Sequence, residues 1–510
     1  MRTRTLALFT AACALFATEP NDATRRWWTH VQALSGDDLK GRDTGSEGYR
    51  LAAQYVVEQL SRAGVRPAGE NGWYQRVPLK AVRFRADLSQ VELVARQGTR
   101  ALRWLHDISI PARANLPETI DAGLIFEGTQ GGPAAELRGK IVVRLGAIAT
   151  AAAGLPGNAG AAADAAPGVL GILTIDGSGG TEPPRWPVPY AVTMTLADTV
   201  TPPSSGPLPL RFNPSAADAL FAGSGHTYQE LLALAAADKP LPRFALAQSL
   251  RARIKVEASE MSCNNILGVL PGNDSEANKE YVVVSAHLDG YGIGEARNGD
   301  TIYNGAFDDA AYVATLIDMA EQLQASGKRL RRSIFFAVFT AEEKGLLGSR
   351  YFAAHPTVAK ERMVANVNLD QLRPIFPLTT LTTLALGEST VGDTVRQVAL
   401  PMGIRIQPDP EPGRNLLRRS DHWNFMQLGV PAVGFVFGYA KDSPEESIYR
   451  RWYLERYHSP ADDVKQPWDP QAAAKFNAFF GRLVEALADA AQRPRWKPGS
   501  VYAPKGAEVR

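Results

Sequence analysis

The sequence predicts an α/β fold, in which a mainly parallel central sheet is flanked by helices and the chain is interrupted by an inserted, mostly β domain. After residue 251, short apolar β-rich runs alternate with helical patterns, which is typical of a parallel sheet covered by helices on both faces. Between residues 111 and 242 the chain is rich in Ala, Gly and Pro, with short apolar runs between loops, as expected for a separate β-rich unit. The 510 residues suffice for roughly two to four domains of about 150 residues each.

The first predicted elements are one helix and two strands. Apolar residues at three- and four-residue steps predict an amphipathic helix over residues 47–60, ending near Gly64. Strand patterns follow over residues 77–82 and 88–95. Within the Ala/Gly/Pro-rich stretch, the Ala-rich tract over residues 147–166 is compatible with a loose helix or with a loop. Three strands are predicted there, over residues 123–126, 140–145 and 169–175.

The C-terminal half supplies the predicted parallel sheet. Its strands are predicted over residues 281–287, 333–340, 363–369, 381–386 and 433–437. Its helices are predicted over residues 310–323, 346–355, 391–402 and 472–491. We therefore divide the chain into a signal peptide (1–17), a first part of the main domain (18–110), an inserted domain (111–250), a second part of the main domain (251–495) and a C-terminal tail (496–510).

The charge balance argues against two classes of partner. Lys and Arg number 55 and Asp and Glu number 53, which leaves a net charge of +2. Such a chain has no field strong enough to indicate nucleic acid or an anionic membrane surface as a partner. The hydrophobic fraction of 45% and the charged fraction of 21% are typical of globular domains.

The N-terminal 17 residues have the pattern of a secretory signal. Arg2 and Arg4 precede an apolar stretch over residues 6–17, which is too short to span a bilayer. Cleavage after Ala14 or Ala17 would remove one of the two cysteines, Cys13, so no disulfide is expected in the mature chain. We expect a secreted or periplasmic protein without a membrane span. Lipid attachment at Cys13 is an alternative, which the absence of a lipidation-type Leu three residues earlier disfavours.

Polar side chains end several of the predicted strands, which is where open α/β sheets bind ligands. The first strand of the C-terminal half ends in His287-Leu288-Asp289, whose first and third side chains share one face of an extended chain. The next strand is followed by Glu342 and Glu343, and another by Asp370. Two further groups lie outside strands: Asp308 and Asp309 at a predicted helix start, and His458 in a polar loop.

Each group by itself also has an ordinary structural explanation. His287 and Asp289 fit a strand-end salt bridge, Asp308 fits a helix N-cap, and a lone loop histidine is usually a surface residue. The set as a whole favours a metal centre, because adjacent carboxylates repel unless a cation or a proton separates them. Imidazole nitrogens and carboxylate oxygens are ligands that zinc accepts, and a shared carboxylate can bridge two ions about 3.5–4 Å apart.

With these residues identified, the sequence resembles the co-catalytic zinc exopeptidases, the family of bacterial leucyl aminopeptidases, the yeast vacuolar aminopeptidase and the glutamate carboxypeptidases. The resemblance covers the N-terminal helix region and residues 264–492, and it implies a zinc exopeptidase fold. A looser match over residues 137–143 and 168–175 implies that the insert is a protease-associated domain. The motifs occur in the family's order as AHLDGY, NGAFDDA, FTAEEKGLLGS, NVNLDQL, RRSDHWNF and YHSPADD.

The resemblance implies two zinc ions. One would be held by His287 and Asp370 and the other by Glu343 and His458, with Asp308 bridging them; Asp309 is the alternative bridge.

The resemblance also assigns three other roles. Glu342 would be the general base, and Asp289 would orient His287. Tyr457 would stabilise the oxyanion, or would be a packing aromatic.

The resulting hypothesis is a zinc-dependent aminopeptidase that acts on peptide substrates. A carboxypeptidase or dipeptidase with the same metals is the first alternative, with Arg414, Arg418 and Arg419 as candidate anchors for a substrate carboxylate. Glutaminyl cyclisation would need one catalytic zinc and is disfavoured by the full donor set. A non-catalytic, receptor-like binding protein is disfavoured because no donor is lost. The sequence determines neither the preferred substrate side chain nor the oligomeric state.

Overall fold

The computed structural model describes residues 21–129, 133–146, 167–177, 184–199, 206–370 and 372–504. The predicted signal peptide and the Ala-rich tract over residues 147–166 lie outside these residues. Among the helices of the described part, none combines the length and the apolar content needed to cross a bilayer.

The larger sheet has ten strands and confirms the predicted α/β architecture. Its central strand, Tyr281–His287, is parallel to both of its neighbours, whereas antiparallel pairs lie towards both edges. A short strand, Arg66–Pro67, pairs with Val256–Leu270. The other nine strands follow one another across the sheet as Arg405–Gln407, Thr380–Leu384, Ala432–Phe437, Met363–Asn368, Tyr281–His287, Ser333–Phe339, Val256–Leu270, Tyr74–Phe84 and Val192–Leu196.

Alternate residues of the central strands enter apolar cores on opposite faces of this sheet. Val282 and Val284 pack into one core, and Val283 packs into the other. A strand buried on both faces needs a continuous apolar run, as the sequence of Ser333–Phe339 shows. The first core is covered by Asp22–Leu34, Glu47–Arg62, Ala311–Ser326, Val391–Ala399, Pro444–Glu455 and Pro470–Asp489, and the second by Leu347–Ala354 and His422–Leu428.

Several helices of the described residues differ from the prediction. The helix predicted over residues 391–402 is α-helical to Ala399 and closes with a 3-10 turn over Leu400–Met402, where Pro401 supplies no N–H for a further α-helical turn. The helices Asp22–Leu34 and Pro444–Glu455 were not predicted. The first of these is docked by Trp27, whose indole N–H donates to the carbonyl oxygen of Ala311 at 2.9 Å.

A second sheet of eight strands has its own apolar core. Its strands Gln90–Ala95 and Gly98–Leu102 precede residue 111, whereas Val192–Leu196 joins the larger sheet. The domain boundaries at residues 111 and 250 stay a prediction. The eight strands follow one another as Gly98–Leu102, Gln90–Ala95, Phe244–Arg253, Thr119–Phe126, Ile141–Leu145, Gly171–Ile175, Leu208–Phe212 and Ile108–Ser109. Within the described part of this region, three short helices accompany them, Ala134–Leu137, Ala217–Phe221 and Tyr228–Ala236. A separate hairpin pairs Gly292–Arg297 with Asp300–Tyr303.

Candidate metal centre

The predicted site residues meet at the carboxyl edge of the central parallel strands. His287 ends its strand, and Glu342 and Glu343 follow the strand Ser333–Phe339. Asp370 follows the strand Met363–Asn368. Because parallel strands end at the same edge of a sheet, their terminal side chains come together there. Asp308 joins them from the irregular turn Ala306–Ala310, and His458 from the loop after the helix Pro444–Glu455.

The carboxylate of Asp308 lies between the two imidazoles. Its Oδ1 is 3.4 Å from Nε2 of His287, and its Oδ2 is 3.3 Å from Nε2 of His458. The same nitrogen of His458 is 3.3 Å from Oε2 of Glu343. The two oxygens of one carboxylate therefore face two different groups of nitrogen and oxygen donors.

Two overlapping groups of donors are compact enough to hold a metal ion. In the first, one ligand atom each of His287, Asp308 and Glu343 lies within 4.8 Å of the others. In the second, the same holds for His287, Asp309 and Asp370. Asp309 also accepts the backbone N–H of His287 through Oδ2 at 3.1 Å. Both aspartates of the Asp308-Asp309 pair thus reach the centre, and the choice of Asp308 as the bridge stays a prediction.

The burial of these donors fits a cation. Buried polar atoms are normally hydrogen-bonded, yet within the described residues His287 Nε2, Asp308 Oδ2 and Glu343 Oε1 have no hydrogen-bond partner. Burial raises the pKa of Glu342, Glu343 and Asp370 above the usual carboxyl range, and repulsion from neighbouring carboxylates raises it further. A cation at this place would neutralise the carboxylates and occupy the unpaired donor atoms. The nitrogen and oxygen donor set is suited to zinc.

His287 presents its Nε2 to the cluster in the tautomer that a metal needs. Its Nδ1 lies 3.0 Å from the carbonyl oxygen of Asp289. A carbonyl oxygen can only accept, so Nδ1 carries a proton, and Nε2, which faces Asp308, is the ring nitrogen that a metal would bind. The Asp289 carboxylate is farther away, with Oδ1 at 3.8 Å from Nδ1. The orientation of the imidazole thus comes mainly from the main chain of Asp289.

The Asp289 carboxylate itself binds the main chain of the glutamate pair. Its Oδ1 accepts the backbone N–H of Glu342 at 3.0 Å, and its Oδ2 accepts that of Glu343 at 3.3 Å. The hydroxyl of Thr44 donates to Oδ2 at 3.2 Å. Asp289 is fully buried, so it is well placed to hold the Glu342-Glu343 turn in position.

Tyr457 and His458 lie side by side at the more open end of the centre. The hydroxyl of Tyr457 accepts from Arg419 at 3.4 Å, and its ring stacks on that of His458 at 3.6 Å between centroids. Nδ1 of His458 is 2.9 Å from the hydroxyl of Tyr291. The His458 backbone has a φ of 51°, a left-handed conformation that is uncommon for residues other than glycine.

Two buried arginines at the centre, Arg42 and Arg373, were not predicted from the sequence. Arg42 donates to the carbonyl oxygens of Leu288, Asn304 and Gly305 at 3.0, 2.6 and 3.0 Å, and so connects the segments that carry His287 and Asp308. Arg373 lies 3.4 Å from Oδ2 of Asp308 through Nη2. Neither arginine carries a local signal in the sequence, because an arginine that neutralises a buried carboxylate has the same sequence context as a surface arginine.

Glycine is required at position 305. Its φ is 59°, and a Cβ there would lie 2.3 Å from the carbonyl oxygen of Asp308. A side chain at residue 305 would therefore displace the turn that carries Asp308.

Two residues of the segment over residues 184–199 also reach the centre. The guanidinium of Arg185 lies over the ring of Tyr457, 4.8 Å from its centroid, and also donates to the carbonyl oxygen of Tyr453. Tyr190 accepts a hydrogen bond from Lys344, the neighbour of Glu343, and Lys344 pairs with Asp43 at 2.9 Å. These contacts were not predicted, because they join residues far apart in the chain.

Comparison with known proteins identifies relatives of this chain. Residues 265–484 match the sequence profile of peptidase family M28. Aminopeptidase YwaD of Bacillus subtilis is 26% identical over 228 residues, which cover 43% of this chain and 44% of that protein. The glutamate carboxypeptidase 2 homolog of Caenorhabditis elegans is 24% identical over 220 residues, which cover 38% of this chain and 27% of that protein. The chain thus matches less than half the length of these curated relatives.

The fold has a counterpart among solved structures. The structure of BSAP, a zinc aminopeptidase from Bacillus subtilis, superposes with a TM-score of 0.58 at 18% sequence identity. The superposition covers 92% of this chain and 95% of that one. At this level of identity the likeness establishes the shared fold.

Proposed function

We propose that this protein, whose residues 265–484 match the sequence profile of peptidase family M28, is a zinc aminopeptidase, which releases N-terminal residues from peptides. The position of Asp308 is the main support. One of its oxygens faces His287 at 3.4 Å and the other faces His458 at 3.3 Å, as a carboxylate shared by two ions requires.

The proposed centre holds two zinc ions. His287 and Asp370 would hold one ion, Glu343 and His458 would hold the other, and Asp308 would contribute one oxygen to each. Zinc bound by these residues would lower the pKa of a water molecule and polarise the carbonyl group of the scissile bond.

Glu342 is the proposed general base. Its side chain is buried, with Oε2 at 3.8 Å from Nε2 of His287, and its backbone N–H is held by Asp289 at 3.0 Å. In this role its carboxylate takes the proton of the attacking water and then delivers it to the leaving amine. The hydrogen bond to Asp289 would limit the movement of the Glu342 backbone during these proton transfers.

Tyr457 is the proposed oxyanion donor. Its ring stacks on that of His458, a proposed ligand, at 3.6 Å between centroids, so a carbonyl group bound at the metals would lie on the Tyr457 side of the centre. The hydroxyl accepts from Arg419 at 3.4 Å, which leaves its own proton available for the oxygen that becomes negative during the attack.

A comparison of substrates tests the proposal. We expect the purified protein to hydrolyse an aminoacyl anilide with a free amino group, to lose this activity with a chelator and to regain it when zinc is added back. The N-acetylated anilide should remain intact. A protein that binds zinc and hydrolyses neither the anilides nor any peptide would instead support the receptor-like alternative.

The carboxypeptidase alternative is supported by two cations near Tyr457. Arg419 contacts the Tyr457 hydroxyl, and Arg185 lies over its ring at 4.8 Å. A guanidinium group at this place is suited to bind the carboxylate of a substrate. Preferential cleavage of an N-acylated dipeptide with a free carboxyl group over the aminoacyl anilide would establish this alternative.

We further propose that residues 1–17 direct export and that the inserted domain is a protease-associated domain. An apolar stretch after Arg2 and Arg4 supports export. The N-terminus of the protein recovered from the periplasm or the medium should start at Leu15 or Thr18, which mass spectrometry can determine. An intact N-terminus on the exported protein would contradict cleavage.

A further inference from the structure

Arg373 is buried beside the proposed metal centre and is held on three sides. It is fully shielded from solvent, and its guanidinium lies over the ring of Trp452, 4.5 Å from the centroid. Its Nη1 donates to the main-chain oxygen of Asp370 at 2.6 Å and to that of Leu372 at 2.5 Å. A buried guanidinium cannot lose its proton, so its charge must be compensated locally.

Asp308 supplies this compensation. Nη2 of Arg373 is 3.4 Å from Oδ2 of Asp308, the oxygen that is also 3.3 Å from Nε2 of His458. Asp308 is therefore a carboxylate that already has a counter-ion in the protein.

The surrounding hydrogen bonds keep Arg373 in this position. The indole N–H of Trp452 donates to Gln466 at 2.7 Å, and Gln466 donates to Asp462. Asp462 in turn accepts the backbone N–H of Phe307 at 3.0 Å. Phe307 directly precedes Asp308, so this series of contacts begins at the Arg373 guanidinium and returns to it through the Asp308 carboxylate.

We propose that Arg373 is a positioning residue, which fixes Asp308 and weakens zinc binding at the Glu343 and His458 position relative to the His287 and Asp370 position. This inference rests on the proposed two-zinc centre. Oδ2 of Asp308 faces both His458 and the fixed positive charge of Arg373. An ion held by Glu343 and His458 would therefore be repelled by the guanidinium, because like charges repel strongly where water is excluded. Oδ1, which faces His287, is the oxygen not paired with Arg373. The two zinc affinities are therefore unequal, because Arg373 lies beside only one of the two oxygens of Asp308.

Zinc titration of the metal-free protein in competition with a chromophoric chelator tests the inference. The wild type should bind two ions with affinities that differ by about tenfold or more. His458→Ala should abolish the weaker binding and retain the tighter binding. Equal affinities in the wild type, or loss of the tighter ion in His458→Ala, would overturn the inference.

Two substitutions at residue 373 separate charge from packing. Arg373→Met removes the charge, so it should tighten the weaker site by about tenfold while it lowers the melting temperature of the metal-free protein. Arg373→Lys keeps the charge and should leave the two affinities unequal. A merely structural role predicts weaker zinc binding along with the lower melting temperature, and that result for a folded Arg373→Met would contradict the proposal. If Arg373→Met does not fold, the titrations of the wild type, Arg373→Lys and His458→Ala still test whether the two affinities are unequal and whether His458 holds the weaker ion.

Failure of the proposed function is distinguishable from failure of this inference. A wild-type protein that binds no zinc would contradict the two-zinc centre itself. Two zinc ions bound with equal affinity would leave that centre intact and contradict only the role of Arg373.

Discussion

The carboxylate of Asp289 accepts the backbone N–H of Glu342 at 3.0 Å. The same carboxylate accepts the N–H of Glu343 at 3.3 Å, so one buried side chain holds the main chain of both glutamates. The strand that ends at His287 and the turn after the strand Ser333–Phe339 are thereby connected directly at the proposed centre.

Replacement of Asp289 by Ala should destabilise the protein and disturb the glutamate pair. Two buried N–H groups would lose their acceptors, and an unsatisfied buried donor costs about 1–3 kcal/mol. We expect urea unfolding of Asp289→Ala to show a loss of about 2 kcal/mol or more, and Asp289→Asn, which retains one acceptor oxygen, to lose less. Wild-type stability of Asp289→Ala would show that these hydrogen bonds contribute little.

Replacement of Glu342 by Gln should stop turnover without removing metal. The amide has the shape of the carboxylate but cannot accept a proton, and general base catalysis typically contributes about 10²–10⁴-fold. Hydrolysis of an aminoacyl anilide should fall by at least that factor, while metal analysis still finds two zinc ions per chain. Glu58→Gln, on the exposed side of the helix Glu47–Arg62, is the matched control and should keep full activity.

The two adjacent aspartates should differ in their effect on zinc content. Asp308→Asn removes the proposed shared carboxylate, so both ions should bind more weakly. Asp309→Asn should leave the ion at Glu343 and His458 in place, because Asp309 groups with His287 and Asp370. Metal analysis after dialysis measures this difference. The reverse pattern would make Asp309 the bridge.

Replacement of Tyr457 by Phe should separate oxyanion stabilisation from packing. The ring and its stacking on His458 are retained, but the donor is lost. Removal of one oxyanion donor costs about 10²–10³-fold in kcat, so a fall of this size with an unchanged KM and zinc content is expected. Near-normal kcat would assign Tyr457 a packing role.

Asp318 should make the stability of the protein depend on pH. Its carboxylate is buried in the helix Ala311–Ser326 and accepts from Gln322 at 2.6 Å, with Arg26 at 3.8 Å. Burial raises its pKa to about 6 from an ordinary value of 3.8. The folded protein therefore holds this proton more tightly than the unfolded chain does. The resulting stabilisation is complete below pH 3.8 and is lost as the pH rises through about 6.

Asp318→Asn has no proton to lose and should become more stable relative to the wild type between pH 5 and pH 7.5, by about 1 kcal/mol. Urea unfolding of both proteins at the two pH values measures this change. The comparison cancels any effect of pH on metal binding, because it uses the difference between two proteins at each pH. A difference that does not change with pH would contradict the raised pKa.

Local sequence could predict most of the sheet and the donors at its edge. A strand buried on both faces must be a continuous apolar run, so the strands Tyr281–His287 and Ser333–Phe339 are visible from composition alone. The polar residue that ends each run is then a candidate ligand, which identifies His287 and Asp370. The helix Asp22–Leu34 escaped prediction, although Asn21 caps it by accepting the backbone N–H of Thr24 at 2.8 Å.

The sequence by itself therefore determined the α/β class, the apolar strands that carry the donors and the chemical types of those donors, because these depend on residues that are neighbours in the chain. It did not predict the longest strand of the larger sheet, Val256–Leu270. Tertiary structure decided which groups meet. Asp289 binds the main chain of Glu342, and Arg373 pairs with Asp308. The residues of these two pairs are 53 and 65 positions apart in the sequence. Such pairings depend on the order of the strands in the sheet and on side-chain packing. A buried Arg or Asp needs a charged partner, and that partner lies too far away in the sequence for a local pattern to identify it.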